Sequence, residues 1–287
     1  MSGNSEDTVK TFAPGHERGA AGNVIFPRDK DLRASLFPYS DPSEHVAKAN
    51  MHMVKALVEF VSEPGDTILD PFAGTGTILV ALTLGRKVMM IEIEDFFVEI
   101  IERNIEGIRR TVPDATELTT LIPGDCSRIL PLQPGLFQHM IFSPPYGNIW
   151  KKTEDGMKDA TYAMYGYESS YKYSQHPDNV GRLNDFFYME KMEKVYSKCA
   201  ASLLPGGTMT VIIKDRIKDQ KVISFRSRLH KDCARAGLEL VADNVWFAPG
   251  GAFANIQRMH GYITVDEEHL ITFRKASAKE DYQYATV

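Results

Sequence analysis

The stretch "TILDPFAGTGTILVALTLG", residues 67–85, decides the fold class. Its first four residues (67–70) predict a short buried strand, because strands that are covered on both faces are almost continuously apolar. The glycine-rich turn PFAGTG (71–76) follows, and residues 77–85 predict a compact helix that ends at Gly85. A strand, a tight glycine turn and a helix in this order are typical of an α/β sheet.

The remainder of the chain repeats this alternation of strands and helices. Six further strands are predicted at 87–93, 119–125, 139–142, 208–215, 238–248 and 270–275. Helical spacing of apolar residues predicts helices from about Ser43 to Val61, from about Phe97 to Ile108 and from about Asn184 to Leu204. The pattern predicts an α/β fold with a mostly parallel, seven-stranded sheet and helices on both faces, in which ligands bind outside the carboxyl ends of the strands.

Four groups of residues lie at the ends of predicted strands or directly after them and are expected at that edge. They are Asp70–Thr77, Glu92, Asp125 and Ser143–Tyr146. Gly74 and Gly76 tolerate positive φ and let the backbone approach a ligand closely, and the next helix offers unpaired N–H groups to an anion. Glu92 could accept both hydrogens of a ribose diol, and Asp125 could accept from an adenine amino group or order the neighbouring backbone.

Each of these features also has a plainer explanation, as a tight connection or as a solvated loop acid. Spaced after consecutive strands, they predict an adenosine-containing ligand. The turn lacks the Gly-Lys-Ser/Thr end of a P-loop, so a triphosphate is not expected.

Composition excludes several classes of protein. The formal net charge is −5, so the overall balance does not indicate nucleic-acid binding, although a local basic face is compatible with it. Cys126, Cys199 and Cys233 form no CxxC pair, which favours a reducing compartment and argues against a metal site. Without an apolar run of membrane-spanning length or a signal-like N-terminus, we expect a soluble, cytoplasmic protein with no membrane contact.

The predicted organisation has one main domain. Residues 1–40 are rich in Gly, Ser, Pro and charge and are expected to be a flexible arm, residues 41–275 form the α/β domain, and residues 276–287 form a flexible tail. The tyrosine-rich segment 149–183 is far longer than an ordinary connection and is expected to be an active-site or target-recognition insertion. Its tyrosines could stack on planar ligands or pack a lid onto the body.

The corner "FSPPYGN", residues 142–148, follows the predicted strand 139–142. Two prolines fix φ and remove two N–H donors, so the chain here can neither extend the strand pairing nor start a helix smoothly. A rigid turn is the plain explanation. Its position after three other ligand-edge groups makes Ser143, Pro144, Pro145 and Tyr146 the candidate catalytic residues.

"DPFAGTGT" (70–77) followed by "SPPY" (143–146) resembles the paired signature of the amino methyltransferases that use S-adenosyl-L-methionine to methylate an exocyclic nitrogen of a DNA base. The resemblance implies a Rossmann-like class I methyltransferase fold over about 41–275, an active site at the SPPY element and DNA as the partner. A serine as the first residue of this four-residue element resembles the N4-cytosine branch, whereas an aspartate at that position is commoner in the N6-adenine branch. With the two acids, the expected cofactor-binding residues are Asp70, Pro71, Phe72, Gly74, Thr75, Gly76, Thr77, Glu92, Asp125 and Cys126.

The chemistry of such a transfer explains the corner. An exocyclic amine is a poor nucleophile because its lone pair is delocalised into the ring. Acceptors such as the Ser143 hydroxyl and the Pro144 carbonyl would draw the nitrogen toward a tetrahedral geometry. Tyr146 could stack on the base, which contributes about 1–3 kcal/mol against a base-flipping cost of a few kcal/mol.

Several alternatives stay open. Methylation of adenine N6 keeps the class, and "PPYG" also resembles the active-site element of tRNA guanosine N2 methyltransferases, although those usually begin it with aspartate and carry an RNA-binding domain. A non-catalytic cofactor-binding or DNA-binding regulator is a third interpretation. Methylation of cytosine C5 is not expected, since that family places its nucleophilic cysteine after a proline and none of the three cysteines follows one.

The polymer-binding surface has two interpretations. The stretch 214–237 contains eight lysine and arginine residues and could contact phosphates, or it could be a solvated helix face with interspersed acids. Target recognition is assigned to 149–183 and 244–262. Restriction-modification with a partner nuclease fits this class of enzyme, and the oligomeric state stays open.

Overall fold

The structure is a computed structural model, and it describes residues 10–39, 48–132, 135–145, 176–218, 221–247 and 258–277. The strands are β1 Thr67–Asp70, β2 Lys87–Glu92, β3 Thr119–Pro123, β4 Phe137–Phe142, β5 Leu203–Ile213, β6 Arg216–Lys218, β7 Lys221–Ile223, β8 Leu238–Phe247 and β9 Glu267–Lys275. The α-helices are α1 Lys30–Leu36, α2 Met51–Val61, α3 Asp95–Ile108, α4 Cys126–Ile129, α5 Asp185–Ser202 and α6 Phe225–Arg235. Two 3₁₀ helices span Thr77–Leu84 and Val180–Arg182.

Seven strands form one sheet in the order β3-β2-β1-β4-β5-β9-β8. Strands β1 to β5 pair in parallel, and β9 runs antiparallel to both of its neighbours, β5 and β8. Strands β6 and β7 form a separate antiparallel pair beyond the carboxyl end of β5. The predicted mostly parallel, seven-stranded sheet is confirmed.

Helices cover both faces of the sheet, as the alternation predicts. One buried apolar cluster contains residues of α1, α2, α3 and the 3₁₀ helix Thr77–Leu84. A second cluster, on the other face, contains residues of α4, α5 and α6. All parallel strands therefore end at one edge between these layers, where ligands bind in such sheets.

The prediction of a flexible arm over residues 1–40 is wrong for residues 10–39. Phe12, Val24 and Phe26 are at most 5% exposed and belong to the core. The backbone of Val24 also pairs with the edge strand β8, through bonds from its N–H to Val245 O (2.9 Å) and from Phe247 N–H to Val24 O (3.2 Å). The polar composition is misleading because the segment is anchored by single apolar residues at no fixed spacing, which periodicity does not detect.

Several element boundaries also differ from the predictions. The predicted helix from Ser43 is observed from Met51, where the Asn50 side chain caps it by accepting from His52 N and Met53 N; residues 40–47 lie outside the described part. Strand β5 begins at Leu203 and not at residue 208. The basic stretch 214–237 contains β6, β7 and α6.

Parts of the predicted organisation fall on residues outside the described ranges. These are residues 1–9 of the arm, 149–175 of the insertion, 248–257 of the recognition segment and 278–287 of the tail. Within the described ranges, no helix combines the length and apolarity needed to cross a bilayer.

Candidate active site

A cavity of about 350 Å³ opens at the carboxyl edge of the parallel strands. It brings together the predicted residues at or just after the carboxyl ends of β1, β2, β3 and β4, although they are spread over more than 70 positions of the chain. The predicted residues that line it are Asp70, Pro71, Phe72, Gly74, Thr75, Thr77, Glu92, Asp125, Cys126, Ser143, Pro144 and Pro145. Tyr146 lies outside the described residues.

Gly76 is absent from the lining of this cavity, in contrast to the other described residues of the predicted set. A Cβ at this position would lie 3.2 Å from side-chain carbons of Ile101 and Leu79. With φ at +76°, Gly76 starts the 3₁₀ helix and lets it pack against α3. This packing shapes the turn, and the contact of Gly76 with the cofactor stays a prediction.

The glycine-rich turn is held by hydrogen bonds from its own backbone to strand β2 and helix α3. Gly74, with φ at +54°, donates its N–H to Glu92 Oε2 (2.6 Å), and Ala73 donates to Ile91 O (3.1 Å). The buried Asn104 side chain donates to Thr75 O (2.8 Å). These bonds fix the shape of the turn before any ligand arrives.

Glu92 is the organising acid of the site. Its Oε2 accepts from Gly74 N–H, and its Oε1 accepts from the backbone N–H groups of Ile93 and Glu94, both at 2.9 Å. A carboxylate oxygen accepts two hydrogen bonds, so Oε2 keeps capacity for one ligand hydroxyl. Burial raises the pKa of Glu92 to about 7. The predicted role of Glu92 toward a ribose hydroxyl is compatible with this geometry. Its second role, as the acceptor of three backbone N–H groups, was not predicted from the sequence.

Asp70 is the second buried acid of the cavity. Its Oδ1 accepts from Phe72 N at 2.9 Å. Burial, with a smaller contribution from the nearby Glu92 charge, raises the pKa of Asp70 to about 7. Two carboxyls that share a buried site favour a ligand with positive charge, because a cation stabilises their ionised forms.

Asp125 caps helix α4 and contacts α5. It accepts from Ser127 N and Ser127 Oγ, both at 2.8 Å, and from Lys191 Nζ at 3.0 Å. Burial alone would raise the pKa of Asp125, but the hydrogen bonds from Ser127 and Lys191 outweigh it and hold the pKa below its usual value. Of the two predicted roles, ordering the backbone fits these contacts better than binding an adenine amino group.

Cys126 begins α4 and is 4% exposed. Burial raises the pKa of its thiol well above the usual value, so it is a neutral, apolar part of the wall at ordinary pH. This agrees with a site in which no cysteine acts as a nucleophile.

The serine-proline-proline corner extends directly from β4 into the cavity wall. Phe142, the last residue of β4, packs its ring 5.8 Å from that of Phe72 in the glycine-rich turn and 6.4 Å from that of Tyr196 on α5. These aromatic contacts join the corner to the glycine-rich turn. Ser143 and Pro144 therefore lie in a wall that is fixed from both sides.

The structure adds wall residues that the sequence did not reveal. Glu94 is 5% exposed and accepts from Asn179 Nδ2 (2.7 Å) and from the backbone N–H of His176 (3.1 Å). Lys191 also donates to Asp178 O (3.0 Å). The chain thus returns to the cavity after residue 175. The only sequence signal was the proximity of Glu94 to Glu92, since a pairing across 85 residues leaves no local pattern.

The arginines of the basic stretch are largely engaged in ion pairs. Arg216 bonds to Asp185 (2.7 Å), Arg226 to Asp243 (2.7 Å) and Arg228 to Asp232 (2.8 Å). Arg228 also bonds to Glu193 (2.7 Å), which ties α6 to α5. For these arginines the structural interpretation is favoured over a row of phosphate contacts.

The residues of the cavity fit an adenosyl cofactor. Its volume lies within the range of about 300–1,000 Å³ that is typical of small-molecule sites. The buried acids Asp70 and Glu92 suit a cation and hydroxyl groups, and the apolar side chains of Phe72, Ile91 and Phe97 suit a flat base. The backbone of the glycine-rich turn provides the close approach.

The strand order, with the antiparallel β9 between β5 and β8, together with the cavity at the carboxyl edge, defines a Rossmann-like class I methyltransferase fold. The cyclase SpnF shares this fold, with a TM-score of 0.51 and 12% identity over 79% of this chain and 81% of that chain. YcgJ from Bacillus subtilis matches with a TM-score of 0.50 and 12% identity, over 79% of this chain and 99% of that chain.

Sequence comparison finds similarity to DNA methyltransferases over part of the chain. Residues 19–103 match a family model described as DNA methylase. The chain is 30% identical over 141 residues to the Type II methyltransferase M.HinfI of Haemophilus influenzae, which is 45% of this chain and 36% of M.HinfI. The matched region spans about a third of the length of that relative. Both matches support the resemblance to the DNA amino-methyltransferases, and they do not separate the N4 branch from the N6 branch.

Proposed function

We propose that this protein transfers a methyl group from S-adenosyl-L-methionine to an exocyclic amino group of a DNA base, with N4 of cytosine as the favoured target. The observation that carries the proposal is a single cavity lined by both the glycine-rich turn 70–77 and the corner Ser143–Pro145. A turn suited to the cofactor and acceptors suited to an amine in the same cavity support this proposal. The family model and the likeness to M.HinfI support the class of substrate.

The first half of the proposed mechanism is binding of the cofactor. When bound, S-adenosyl-L-methionine supplies an electrophilic methyl group on a sulfonium. The backbone at Gly74 would let the cofactor approach closely, and Glu92 Oε2 would accept a hydrogen bond from a ribose hydroxyl. The ionised carboxyl of Asp70 favours the positive charge. The aromatic and aliphatic walls exclude water from the reacting atoms.

The second half is activation of the amine. The Ser143 hydroxyl and the Pro144 carbonyl accept hydrogen bonds from the two amine hydrogens and stabilise the positive charge that develops on nitrogen. Activated in this way, the amine nitrogen would take the methyl group from the sulfonium, whose sulfur would keep the bonding electron pair, and the nitrogen would then release one proton to water. Stacking of the base on Tyr146 remains a prediction, since that residue lies outside the described range.

Binding of the cofactor is expected to strengthen with pH between about 6 and 8. In the free protein the pKa values of Glu92 and Asp70 are raised to about 7, so both carboxyls are largely protonated below that pH. The contribution of the protonated carboxyls to the stability of the fold is lost as pH rises through 7. The cationic ligand favours the ionised forms, so its binding releases protons. Isothermal titration calorimetry should show about tenfold tighter binding at pH 8 than at pH 6.

The variant Glu92→Gln should flatten this pH profile, because its side chain does not titrate. The cofactor has an amino group of its own that titrates, so the variant removes the contribution of Glu92 and leaves those of Asp70 and of the ligand. An equal slope in both proteins would contradict the role of the buried carboxyl.

The choice among substrates is tested by transfer of label. The protein is incubated with S-adenosyl-L-methionine labelled in the methyl group and with duplex DNA, transfer RNA or a mixture of soluble proteins. We expect label in DNA alone. Label in transfer RNA would support the guanosine N2 alternative, and label in protein would contradict a nucleic-acid substrate.

The non-catalytic alternative makes a different prediction for the corner. If the protein only binds DNA or cofactor, Ser143→Ala and Tyr146→Ala would change DNA affinity and leave methyl transfer unaltered. The proposed function predicts loss of transfer in both variants.

A further inference from the structure

Arg33, on helix α1, is a buried charge that reaches the wall of the cavity from the N-terminal segment. It is 9% exposed. Its Nη1 donates to Thr77 Oγ1 (3.3 Å), and its Nη2 donates to Ala49 O (2.9 Å) and to Asp29 Oδ2 (2.7 Å). Thr77 and Ala49 both line the cavity. One guanidinium therefore connects two separate parts of the wall.

Asp29 completes this connection from the same segment. Besides Arg33, its Oδ2 accepts from Met51 N at 3.0 Å, at the start of α2. Asn50 Nδ2 donates to Pro27 O at 2.8 Å. Residues 27–33 are therefore bonded to each of residues 49, 50 and 51, of which Ala49 lines the cavity.

The charges and the shape of the group suit this role. Burial alone would raise the pKa of Asp29, but the charge of Arg33 and the bond from Met51 outweigh it and hold the pKa below its usual value. The pair is thus ionised at neutral pH. A planar guanidinium directs several N–H groups toward different acceptors at once, whereas the ammonium of lysine is a compact charge on a flexible stem.

We propose that Arg33 is a positioning residue for the cofactor site and that residues 27–33 brace its wall. The brace fixes the start of the 3₁₀ helix at Thr77 relative to the backbone at Ala49. Arg33 acts through these two neighbours and is not itself among the residues that line the cavity. The inference rests on the proposed function only for the identity of the ligand.

The conservative variant Arg33→Lys tests the brace, because it keeps the positive charge beside Asp29 and loses the planar guanidinium that donates to several acceptors at once. We expect calorimetry to show about tenfold weaker binding of both S-adenosyl-L-methionine and S-adenosylhomocysteine. The KM for the cofactor should rise by a similar factor while kcat at saturation stays within about twofold. The matched control is Arg109→Lys, which alters an exposed arginine that pairs with Glu106 on α3.

A second variant tests the same contact from the other side, in case Arg33→Lys loses stability. Thr77→Val removes the acceptor and leaves the Arg33–Asp29 pair intact. If Arg33 acts through Thr77, the double variant should bind about as weakly as the weaker single variant, because both changes remove the same contact. Effects that add in full would overturn the inference.

Hydrogen exchange gives a readout that is independent of activity. Coupling between sites is reciprocal, so the cofactor should slow exchange of the α1 amides in the unaltered protein and should do so much less in Arg33→Lys. Unchanged affinity in Arg33→Lys, even with a lower melting temperature, would overturn the inference alone. No binding of either adenosyl compound by the unaltered protein would overturn the proposed function and this inference together.

Discussion

Replacing Ser143 with alanine is expected to lower kcat for methyl transfer about a hundredfold and to leave cofactor affinity within about twofold. Ser143 lies in the wall of the cavity at the end of β4, where its hydroxyl can accept from the target amine. That bond strengthens as charge develops on nitrogen, so its loss raises the barrier and not the ground-state affinity. Single-turnover kinetics with saturating cofactor and DNA measure the effect.

The matched control for this variant is Ser197→Ala. Ser197 lies on α5, and its hydroxyl donates to Glu193 O within the same helix, away from the cavity. The control should transfer methyl groups at the rate of the unaltered protein. A Ser143→Ala variant with full kcat would mean that the serine takes no part in the reaction, and the argument for cytosine would lose its basis.

Replacing Glu92 with alanine is expected to weaken cofactor binding about a hundredfold and also to destabilise the fold. The change removes the acceptor of three backbone N–H groups, on Gly74, Ile93 and Glu94. A buried donor left without a partner costs about 1–3 kcal/mol. For a total of about 3 kcal/mol the melting temperature should fall by about 6–12 °C.

Glu106→Ala is the control for this second variant, since Glu106 is an exposed acid on α3 whose side chain is 62% exposed. It should leave binding and stability nearly unchanged. Calorimetry and thermal unfolding test both proteins. If Glu92→Ala lowers the melting temperature and binds the cofactor normally, Glu92 only supports the turn, and the ribose contact is wrong.

The fold could be predicted from the sequence because its strands are short apolar runs and its helices carry regular apolar stripes. The glycine-rich turn after β1 and the double proline after β4 are local signals, and the topology of a parallel sheet brings such signals to one edge. For this reason the cavity contains almost the whole predicted set, although no residue pair in it could be derived from spacing alone.

Contacts between distant parts of the chain could not be predicted. Arg33 bonds to Thr77 across 44 residues, and Glu94 bonds to Asn179 across 85, so neither pair produces a periodic or local pattern. The ordered segment 10–39 was missed for the same reason: its stability depends on isolated residues such as Phe12 and Phe26, which bury against elements far along the chain. The polar composition of residues 10–39 reflects their exposed side chains and does not reveal the few apolar side chains that bury the segment in the core.

The identity of the methylated nucleoside tests the central claim most directly. Duplex DNA of varied sequence is incubated with the protein and methyl-labelled S-adenosyl-L-methionine, digested to nucleosides and separated by chromatography with mass detection. The proposed function predicts label in N4-methylcytosine. Label in N6-methyladenine would keep an amino methyltransferase and correct the base, whereas label in 5-methylcytosine, or none in any nucleoside, would contradict it.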